Sequence, residues 1–494
     1  MGNSAISKRV SDVPKESTAC AGYHGLWKIY PGVRKDTGEE VSVWAFDKDP
    51  KKDKAQQEQI FEIMKKDMRG MKECECGGVL RVIEVLEETK TTLAFMSERV
   101  SGSVAEYFKG GGEEISPLEI SRGLYNLSEG LQVVHTVHRR LHLNLCPDSV
   151  VFTHPGNNLK LCGFGFSLGF QVGEHLRLAS PYFLSSGGCG GPSPDLRYCG
   201  PETTLGGINP TQVRYLNPSS DVFGLGVLIF ELYRFSGRAG PHQPHLPIVP
   251  LSPLSPNAVE QHHTALEAIG GLDMDFLPPG LAPLLVSPMH SPRLPPPSPS
   301  PSPPLPPSLS FSISHSLKLL PPLCEQIGML QPQPGSRVGT TDICSSAFFA
   351  TGSLAVLRAV DTLHTRDVGT QSSQLVALAS QLSAFPPRLL LSTVIPAACR
   401  LCVANPALWV YALPLHVHLA SAGRVSLVDY RAAAGKAVSL GLRVTQPVET
   451  MQVGSLSSSS RSQSPPLTVT ETVSVVISDI IRDLSSRILS EMGT

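Results

Sequence analysis

Short apolar runs alternate with polar turns along the first third of the chain. Val41 to Phe46 and Leu93 to Met96 are typical of buried strands, because each is short, apolar and rich in β-branched or aromatic residues. Two further strands, Val150 to Phe152 and Leu159 to Cys162, are predicted on either side of a turn at His154 to Asn157.

Two longer segments follow a helical period. Ile115 to His135 is predicted to be a helix whose apolar face holds Leu118, Leu124, Leu127, Leu131 and Val134. Val222 to Tyr233 is apolar almost throughout, which is typical of a buried helix. Strands and helices together predict an α+β domain.

The second half has a different pattern. Residues 347–363, 374–383, 389–404 and 407–420 are predicted to be consecutive helices separated by glycine or proline, and helices in such succession favour a HEAT-like α-solenoid over residues 341–446. A Ser-rich tail with a final amphipathic helix is expected over 447–494.

Proline separates these regions. The run Pro295 to Pro307 is almost entirely Pro, Ser and Leu, so residues 296–340 are predicted to be an extended linker or insertion. Residues 1–17 are expected to be disordered.

Composition narrows the function further. A net charge of −1 gives no basic field for nucleic acid. The 11 cysteines are scattered, and the close pairs Cys74/Cys76 and Cys399/Cys402 lack the second pair that a zinc ribbon needs, so no metal site is predicted.

No membrane span is expected, because prolines and polar residues interrupt the most apolar stretch. Gly2 is a weak candidate for N-terminal acylation, since Ile6 stands where the motif has Ser or Thr.

Four motifs occur in the order in which protein kinases carry them. They are the catalytic-loop-like segment His142 to Ser149, the triplet after Cys162, the segment Tyr198 to Glu202 and the buried helix beginning at Ser220. Each motif is weak alone, but their order and spacing predict a two-lobed kinase-like domain over residues 18–295.

The residues that perform phosphoryl transfer are nevertheless replaced. Trp44 stands for the strand lysine, Asp67 for the helix glutamate, Asn144 for the catalytic aspartate, Ser149 for the metal-binding asparagine and Gly163 for the metal-binding aspartate. An amide cannot accept the substrate's proton, and glycine offers no oxygen to magnesium. Since one lost transition-state charge contact costs roughly 10²–10³ in rate, the sequence predicts a catalytically inactive domain without a cofactor.

A few residues keep an alternative open. Gly22 and Gly25 form a weak phosphate-covering loop, and Lys48 and Asp148 are candidates for a substitute phosphate anchor and a substitute base. If Lys48 and Asp148 take these two roles, the chain is an atypical, weakly active ATP-binding serine/threonine kinase, which is the alternative interpretation. A third interpretation is a switch that binds ATP without metal or turnover, against which Trp44 argues by filling the cleft.

Residues that maintain the kinase-like fold are retained. Asp221 is expected to bond the backbone of the loop that begins at His142, and Glu202 is expected to pair with an arginine low in the second lobe, for which Arg293 is the candidate.

The chain resembles the SCY-like pseudokinases, in particular their coated-vesicle-associated branch. The resemblance lies in Gly25 to Gly32, Val41 to Lys48, His142 to Ser149 and Gly163 to Phe166, and continues in Phe348 to Leu363 and in Pro386-Pro387 with Ile395-Pro396.

This resemblance implies a kinase-like fold joined to HEAT-like repeats. It also implies a cytoplasmic scaffold, peripheral at Golgi or endosomal membranes or coated vesicles. Its partners would be proteins of membrane traffic, of clathrin/adaptor or SNARE type, with peripheral membrane contact and no nucleic acid.

Overall fold

Two units make up the protein. The computed structural model describes residues 4–51, 53–110, 114–171, 192–202, 216–237, 264–265, 274–286, 328–409, 411–412, 415, 429 and 434. Residues 1–152 and 159–348 form the first unit, and residues 153–158 and 349–494 form the second.

An antiparallel six-stranded sheet is the first lobe of unit one. Its order is β1–β3–β4–β6–β5, with β2 also paired to β3. The strands are β1 (Val10–Ser11), β2 (Ala19–Ala21), β3 (Trp27–Arg34), β4 (Glu40–Asp47), β5 (Val82–Glu88) and β6 (Thr92–Glu98). The strands predicted around Val41 to Phe46 and Leu93 to Met96 are confirmed as β4 and β6.

The two faces of β4 enter different apolar layers. Val41, Val43 and Ala45 face a cluster that includes Ile6, whereas Trp44 and Phe46 lie on the opposite face. Ile6 belongs to helix α1 (Ser4–Arg9), which precedes β1. The prediction of disorder over residues 1–17 is therefore wrong for this helix, because its isoleucine is buried against the sheet.

Helix α2 (Lys54–Glu73) follows β4 and, with 20 residues, is much longer than α1. The Asp53 carboxylate caps it by accepting the N–H of Gln56 at 2.8 Å. Phe61, Met64 and Met68 are buried on the side of α2 that faces the fold.

The second lobe is mainly helical. Its helices are α3 (Val104–Phe108), α4 (Pro117–Thr136), α5 (Pro218–Ser236), α6 (Ala282–Leu285) and α7 (Thr340–Ser345). Its short strands are β7 (Val100–Ser103), which precedes α3, and β8 (Arg140–Leu141), β9 (Val150–Thr153), β10 (Asn158–Leu161) and β11 (Leu168–Gly169), which lie between α4 and α5. The predicted helices at 115–135 and 222–233 are confirmed as α4 and α5, which begin at the capping residues Ser116 and Asn217.

The kinase-like unit extends beyond the predicted linker. Met329 and Leu330 are buried, and their side chains lie close to Gly226 of α5. Helix α7 packs against α4, where Gln132 Nε2 donates to Thr341 Oγ1 at 3.2 Å. The predicted boundaries at 295 and 340 are thus displaced, because residues 328–348 complete unit one. Residues 296–327 lie outside the described part.

From residue 349 onward the described part of the second unit is mainly helical. Its helices are α8 (Gly352–Asp361), α9 (Val368–Gln381), α10 (Pro387–Leu389) and α11 (Ile395–Ala404), with a π-turn at Leu390–Val394 between the last two. Leu363, Leu375, Leu401 and Leu408 share one core. The predicted tail helix lies outside the described residues.

One apolar helical stretch in unit two is long enough to cross a membrane. Pro387–Ala404 has 18 residues and a mean hydropathy of 1.4, but half of it is buried inside the fold. Leu389, Val394 and Ile395 are fully buried, as in the core helix of a globular domain.

Candidate functional site: the cleft of the kinase-like unit

The glycine loop between β2 and β3 is folded down onto the second lobe. Gly22 and Gly25 have φ of 73° and 67°, a region that favours glycine. The N–H of Gly22 donates to the carbonyl of Asp148 at 2.6 Å. A Cβ at Gly22 would overlap the Trp27 ring, so the loop lies directly on the indole.

Trp27 fills the space under this loop. It is fully buried, and its Nε1–H donates to Asp67 Oδ2 at 2.8 Å. Its ring meets Phe95 edge-on at 5.0 Å and Trp44 at 6.3 Å. The indole therefore joins the aromatic core of the sheet to a carboxylate on α2.

Asp67 connects three segments. Besides the Trp27 indole, its Oδ1 accepts the backbone N–H of Phe164 at 2.7 Å, in the triplet that follows Cys162. Burial raises the pKa of Asp67 to about 6, although the two hydrogen bonds from Trp27 and Phe164 act in the opposite direction. Asp67, which stands in place of the helix glutamate, is thus held by an indole and a backbone amide.

Trp44 occupies the lysine position as part of the core. It is fully buried, it stacks on Phe95 at 5.2 Å, and its Nε1–H donates to Ser97 Oγ at 2.9 Å. On the same strand, Ser42 Oγ accepts the backbone N–H of Val100 at 2.9 Å, where the sheet passes into the second lobe. Polar groups along this wall of the cleft are thereby satisfied within the protein.

Lys48 does not reach the glycine loop. Its Nζ lies 2.6 Å from Glu58 Oε2 and 4.1 Å from the centroid of the Phe61 ring, both on α2. Lys48 is thus held by an ion pair and a cation–π contact in the N-terminal half of α2.

The carboxylate of Asp221 holds the backbone of the catalytic-loop-like segment by hydrogen bonds. Its two oxygens accept the N–H groups of His142 and Leu143 at 2.8 and 2.7 Å, and His135 Nε2 lies 2.8 Å from Oδ2. Burial alone would raise the pKa of Asp221, but the hydrogen bond from His135 and the charge of that histidine bring it below its ordinary value. His142, whose pKa is lowered by burial, also contacts the carbonyl of Cys162 through Nε2 at 2.8 Å.

The positions that bind metal in active kinases lie against one another. Gly163 has a φ of 82°, and a Cβ there would lie 2.5 Å from Ser149 Cβ. Asn144 Nδ2 donates to the Gly163 carbonyl at 3.4 Å, and Ser149 Oγ donates to the Cys146 carbonyl at 2.9 Å. An aspartate would not fit at Gly163 without movement, so the site has lost space as well as ligands.

Asp148 lies beside the mouth of the cleft. Burial raises its pKa to about 6, while the positive charge of Lys109 opposes that rise. The carbonyl of the same residue accepts the N–H of Gly22. No cluster of three or more His, Cys, Asp or Glu side chains suited to a metal occurs in the part of the chain that the structure describes.

Glu202 has a different partner from the predicted one. Arg293 lies outside the described residues, and the guanidinium of Arg337 makes a bidentate pair with Glu202 at 2.6 and 2.8 Å. Both side chains are fully buried. The pairing prediction was wrong because the arginine is supplied after the proline-rich segment, by the stretch that completes unit one.

Sequence reasoning missed Trp27 and Arg337. Trp27 lies two residues after Gly25 and shares one face of β3 with Ile29, with the exposed Lys28 between them, so its burial was readable from the strand pattern. Its contact with Asp67, 40 residues away, was not readable. Arg337 carried no local signal of its role, because it lies in a stretch taken for a linker.

Comparison with known proteins agrees with this geometry. Residues 22–239 match the protein kinase domain family. Protein kinase domain-containing protein ppk32 of Schizosaccharomyces pombe is 28% identical over 261 residues, which cover 47% of this chain and 32% of that protein. SCY1-like protein 2 of Homo sapiens is 31% identical over 161 residues, 30% of this chain and 17% of that protein.

A third relative gives the same indication. Protein kinase-like protein SCY1 of Saccharomyces cerevisiae is 25% identical over 239 residues, 42% of this chain and 28% of that protein. The fold and the motifs define a protein-kinase domain. Residues 22–239 are therefore similar to protein kinase domains, and the relatives are kinase-like proteins that include SCY1 and SCY1-like protein 2. Its matches span between 17% and 32% of the length of the three relatives.

Proposed function

We propose that the kinase-like unit is a pseudokinase that binds partners and does not transfer phosphate. The observation that supports this most directly is the indole of Trp27, which lies beneath Gly22 and donates to Asp67. Nucleotide could enter only if this buried indole left its place and the hydrogen bond between Gly22 and Asp148 broke. ATP is therefore not a cofactor of this cleft.

A thermal-shift experiment on the full chain tests the proposal. ATP at a hundred times its dissociation constant stabilises a binding protein by about 2.7 kcal/mol, which raises the melting temperature by about 5–10 °C for a unit of this size. We expect no shift with millimolar ATP, with or without magnesium. A magnesium-dependent rise would refute the proposal.

The atypical-kinase alternative rests on one observation. Lys48 makes an ion pair with Glu58 of α2, a strand-to-helix pairing of the kind that active kinases use. Phosphate incorporation that disappears in both Lys48→Ala and Asp148→Ala would support this alternative. Incorporation that persists in both variants would indicate a contaminating kinase.

The cellular role is proposed from the family resemblance. The protein acts as a scaffold of clathrin-associated vesicle traffic at Golgi or endosomal membranes, and its second unit is a HEAT-like solenoid that binds clathrin/adaptor or SNARE-type proteins. A fluorescent fusion of the full chain should co-localise with Golgi or endosomal markers and co-fractionate with coated vesicles. Uniform cytosolic signal and exclusion from the vesicle fraction would contradict this role.

Acylation of Gly2 gives a separate membrane contact to test. Gly2 lies outside the described residues, and its modification stays a prediction. If it occurs, Gly2→Ala should shift the fusion from the membrane fraction toward the cytosol. An unchanged distribution and an unmodified N-terminal mass would exclude it.

A further inference from the structure

A cavity of about 700 Å³ opens on the outer face of α2 in unit one. It lies away from Trp27 and the glycine loop, and its volume falls in the range of small-ligand sites. Its charged lining residues are Glu58, Glu62, Lys65, Lys66, Arg69, Glu73 and Arg140. Gly70 and Gly165 provide backbone at its floor.

Lys66 is the unusual member of this lining. It is only partly exposed, and no carboxylate among the described residues lies within ion-pair distance of its ammonium group. Burial, and then the positive charge of Arg140, lower the pKa of Lys66. The adjacent Lys65, by contrast, pairs with Glu88 at 2.9 Å. Lys66 is thus a cation held beside a second cation.

Arg140 is held firmly in position. Its Nη2 lies 2.7 Å from Glu73 Oε2, and its Nη1 donates to Ser167 Oγ at 3.1 Å. Glu73 therefore pairs with Arg140, whereas Lys66 in the same corner of the cavity has no such carboxylate partner in the described part of the chain. A phosphate between Lys66 and Arg140 would offset the positive charge that Glu73 does not neutralise, and it would provide acceptors for the ammonium group.

We propose that this corner, formed by Lys66 and Arg140 beside α2, binds a phosphate monoester carried on a peptide side chain. The carboxylates further along α2 indicate the flanking residues of the peptide. Glu62 lies one turn before Lys66, about 6 Å along the helix axis, and Glu58 lies about 12 Å away. The peptide should therefore carry Arg or Lys close to its phosphoserine or phosphothreonine.

The charge pattern favours a peptide over a membrane surface. A flat anionic bilayer would bring its negative charge close to Glu58, Glu62 and Glu73 as well as to the cations of the lining, whereas a single phosphate can enter between Lys66 and Arg140 alone. The catalytic loop offers no competing cation, because Leu143 replaces the arginine of the H-R-D motif and is buried in an apolar cluster.

Fluorescence anisotropy on the full chain tests the proposal. The probe is a short fluorescein-labelled peptide with a central phosphoserine followed by two arginines. We expect saturable binding that millimolar inorganic phosphate competes away and that the unphosphorylated peptide does not show. Both Lys66→Met and Lys66→Glu should weaken binding at least about tenfold, the effect of one charge-assisted hydrogen bond.

Lys65→Met is the matched control. It removes a neighbouring positive charge from the same helix, while Arg69 still pairs with Glu88 at 2.8 Å, so binding should stay within about twofold. Circular dichroism and the melting temperature establish that each variant is folded. If Lys66→Glu does not fold, the binding of Lys66→Met decides the test.

Each of the following results would overturn the proposal. The first is the absence of phosphopeptide binding up to millimolar probe. The second is equal binding of the phosphorylated and unphosphorylated peptides, or an equal loss in the Lys65 and Lys66 variants. The third is Lys66-dependent binding to vesicles containing phosphatidylinositol phosphate without binding to the peptide, which would assign the site to a membrane.

Discussion

The hydrogen bond from Trp27 to Asp67 makes a quantitative prediction when it is compared with that of Trp44. Both tryptophans are fully buried in the same aromatic layer, and each donates one N–H. The acceptor of Trp27 is the carboxylate of Asp67, whereas that of Trp44 is the hydroxyl of Ser97. Trp27→Phe and Trp44→Phe therefore remove similar volume but hydrogen bonds of different strength.

The difference can be estimated from the acceptors. A hydrogen bond to a charged group contributes about 1.5–3 kcal/mol, and one between neutral groups about 0.5–1.5 kcal/mol. The costs of the cavities should largely cancel. At pH 7.5, Trp27→Phe should lower the free energy of unfolding by about 1–2 kcal/mol more than Trp44→Phe does.

The difference should depend on pH. The pKa of Asp67 is raised to about 6 by burial, so near pH 5 the carboxyl is mainly protonated and the Trp27 bond becomes neutral. The raised pKa means that the stability contributed by protonating Asp67 is fully present below pH 3.8 and is lost as the pH rises through about 6. The gap between the two variants should narrow at pH 5.

Urea unfolding at both pH values checks this, with the fluorescence of the remaining tryptophan of the pair as the probe. The m-values of the two variants should agree, so that differences in midpoint report stability. Equal destabilisation by the two variants at pH 7.5, or a gap that does not change at pH 5, would refute the assignment of a charge-assisted bond to Asp67.

Three further predictions follow from the second lobe and the cleft. Arg337→Met should destabilise unit one by about 3–5 kcal/mol, because it leaves Glu202 buried without its partner. Thermal unfolding measures the loss of stability, and a loss below about 1 kcal/mol would contradict the prediction. Gly163→Asp should lower the melting temperature and give no magnesium-dependent stabilisation, since a Cβ there lies 2.5 Å from Ser149; a magnesium-dependent rise in a calorimetric scan would count against the collapsed site. Asp221→Asn should reduce the stability of the chain at neutral pH and make its melting temperature less dependent on pH in the acid range. The lowered pKa of Asp221 means that its carboxylate contributes stability above the ordinary aspartate pKa and that this stability is lost on acidification. Parallel curves of melting temperature against pH for the variant and the wild-type chain would contradict this.

Features of the fold that depend on the local pattern of residues could be predicted from the sequence. The strand at Val41 to Phe46 and the buried helix at Val222 to Tyr233 were readable, because their apolar periods match their burial. The loop at His142 and its support by Asp221 were readable because the motif spacing sets them.

Long-range choices were not readable. Nothing local distinguishes Arg337 from Arg293 as the partner of Glu202, because the pairing depends on where the chain returns after the proline-rich run. The replacement at Trp44 was noted from sequence, but the filling of the cleft by Trp27 depends on the three-dimensional meeting of β3 with α2. Ile6 likewise needed the sheet before its burial could be known.

The pair between Glu202 and Arg337 also bears on synthesis of the chain. The two residues are 135 positions apart in sequence. At a synthesis rate of about 5–20 residues per second, Glu202 leaves the ribosome on the order of ten seconds before its partner exists. During that interval the nascent domain holds an acid at a site that is fully buried in the finished fold. Translation speed across the proline-rich stretch therefore sets how long Glu202 is without its partner during synthesis.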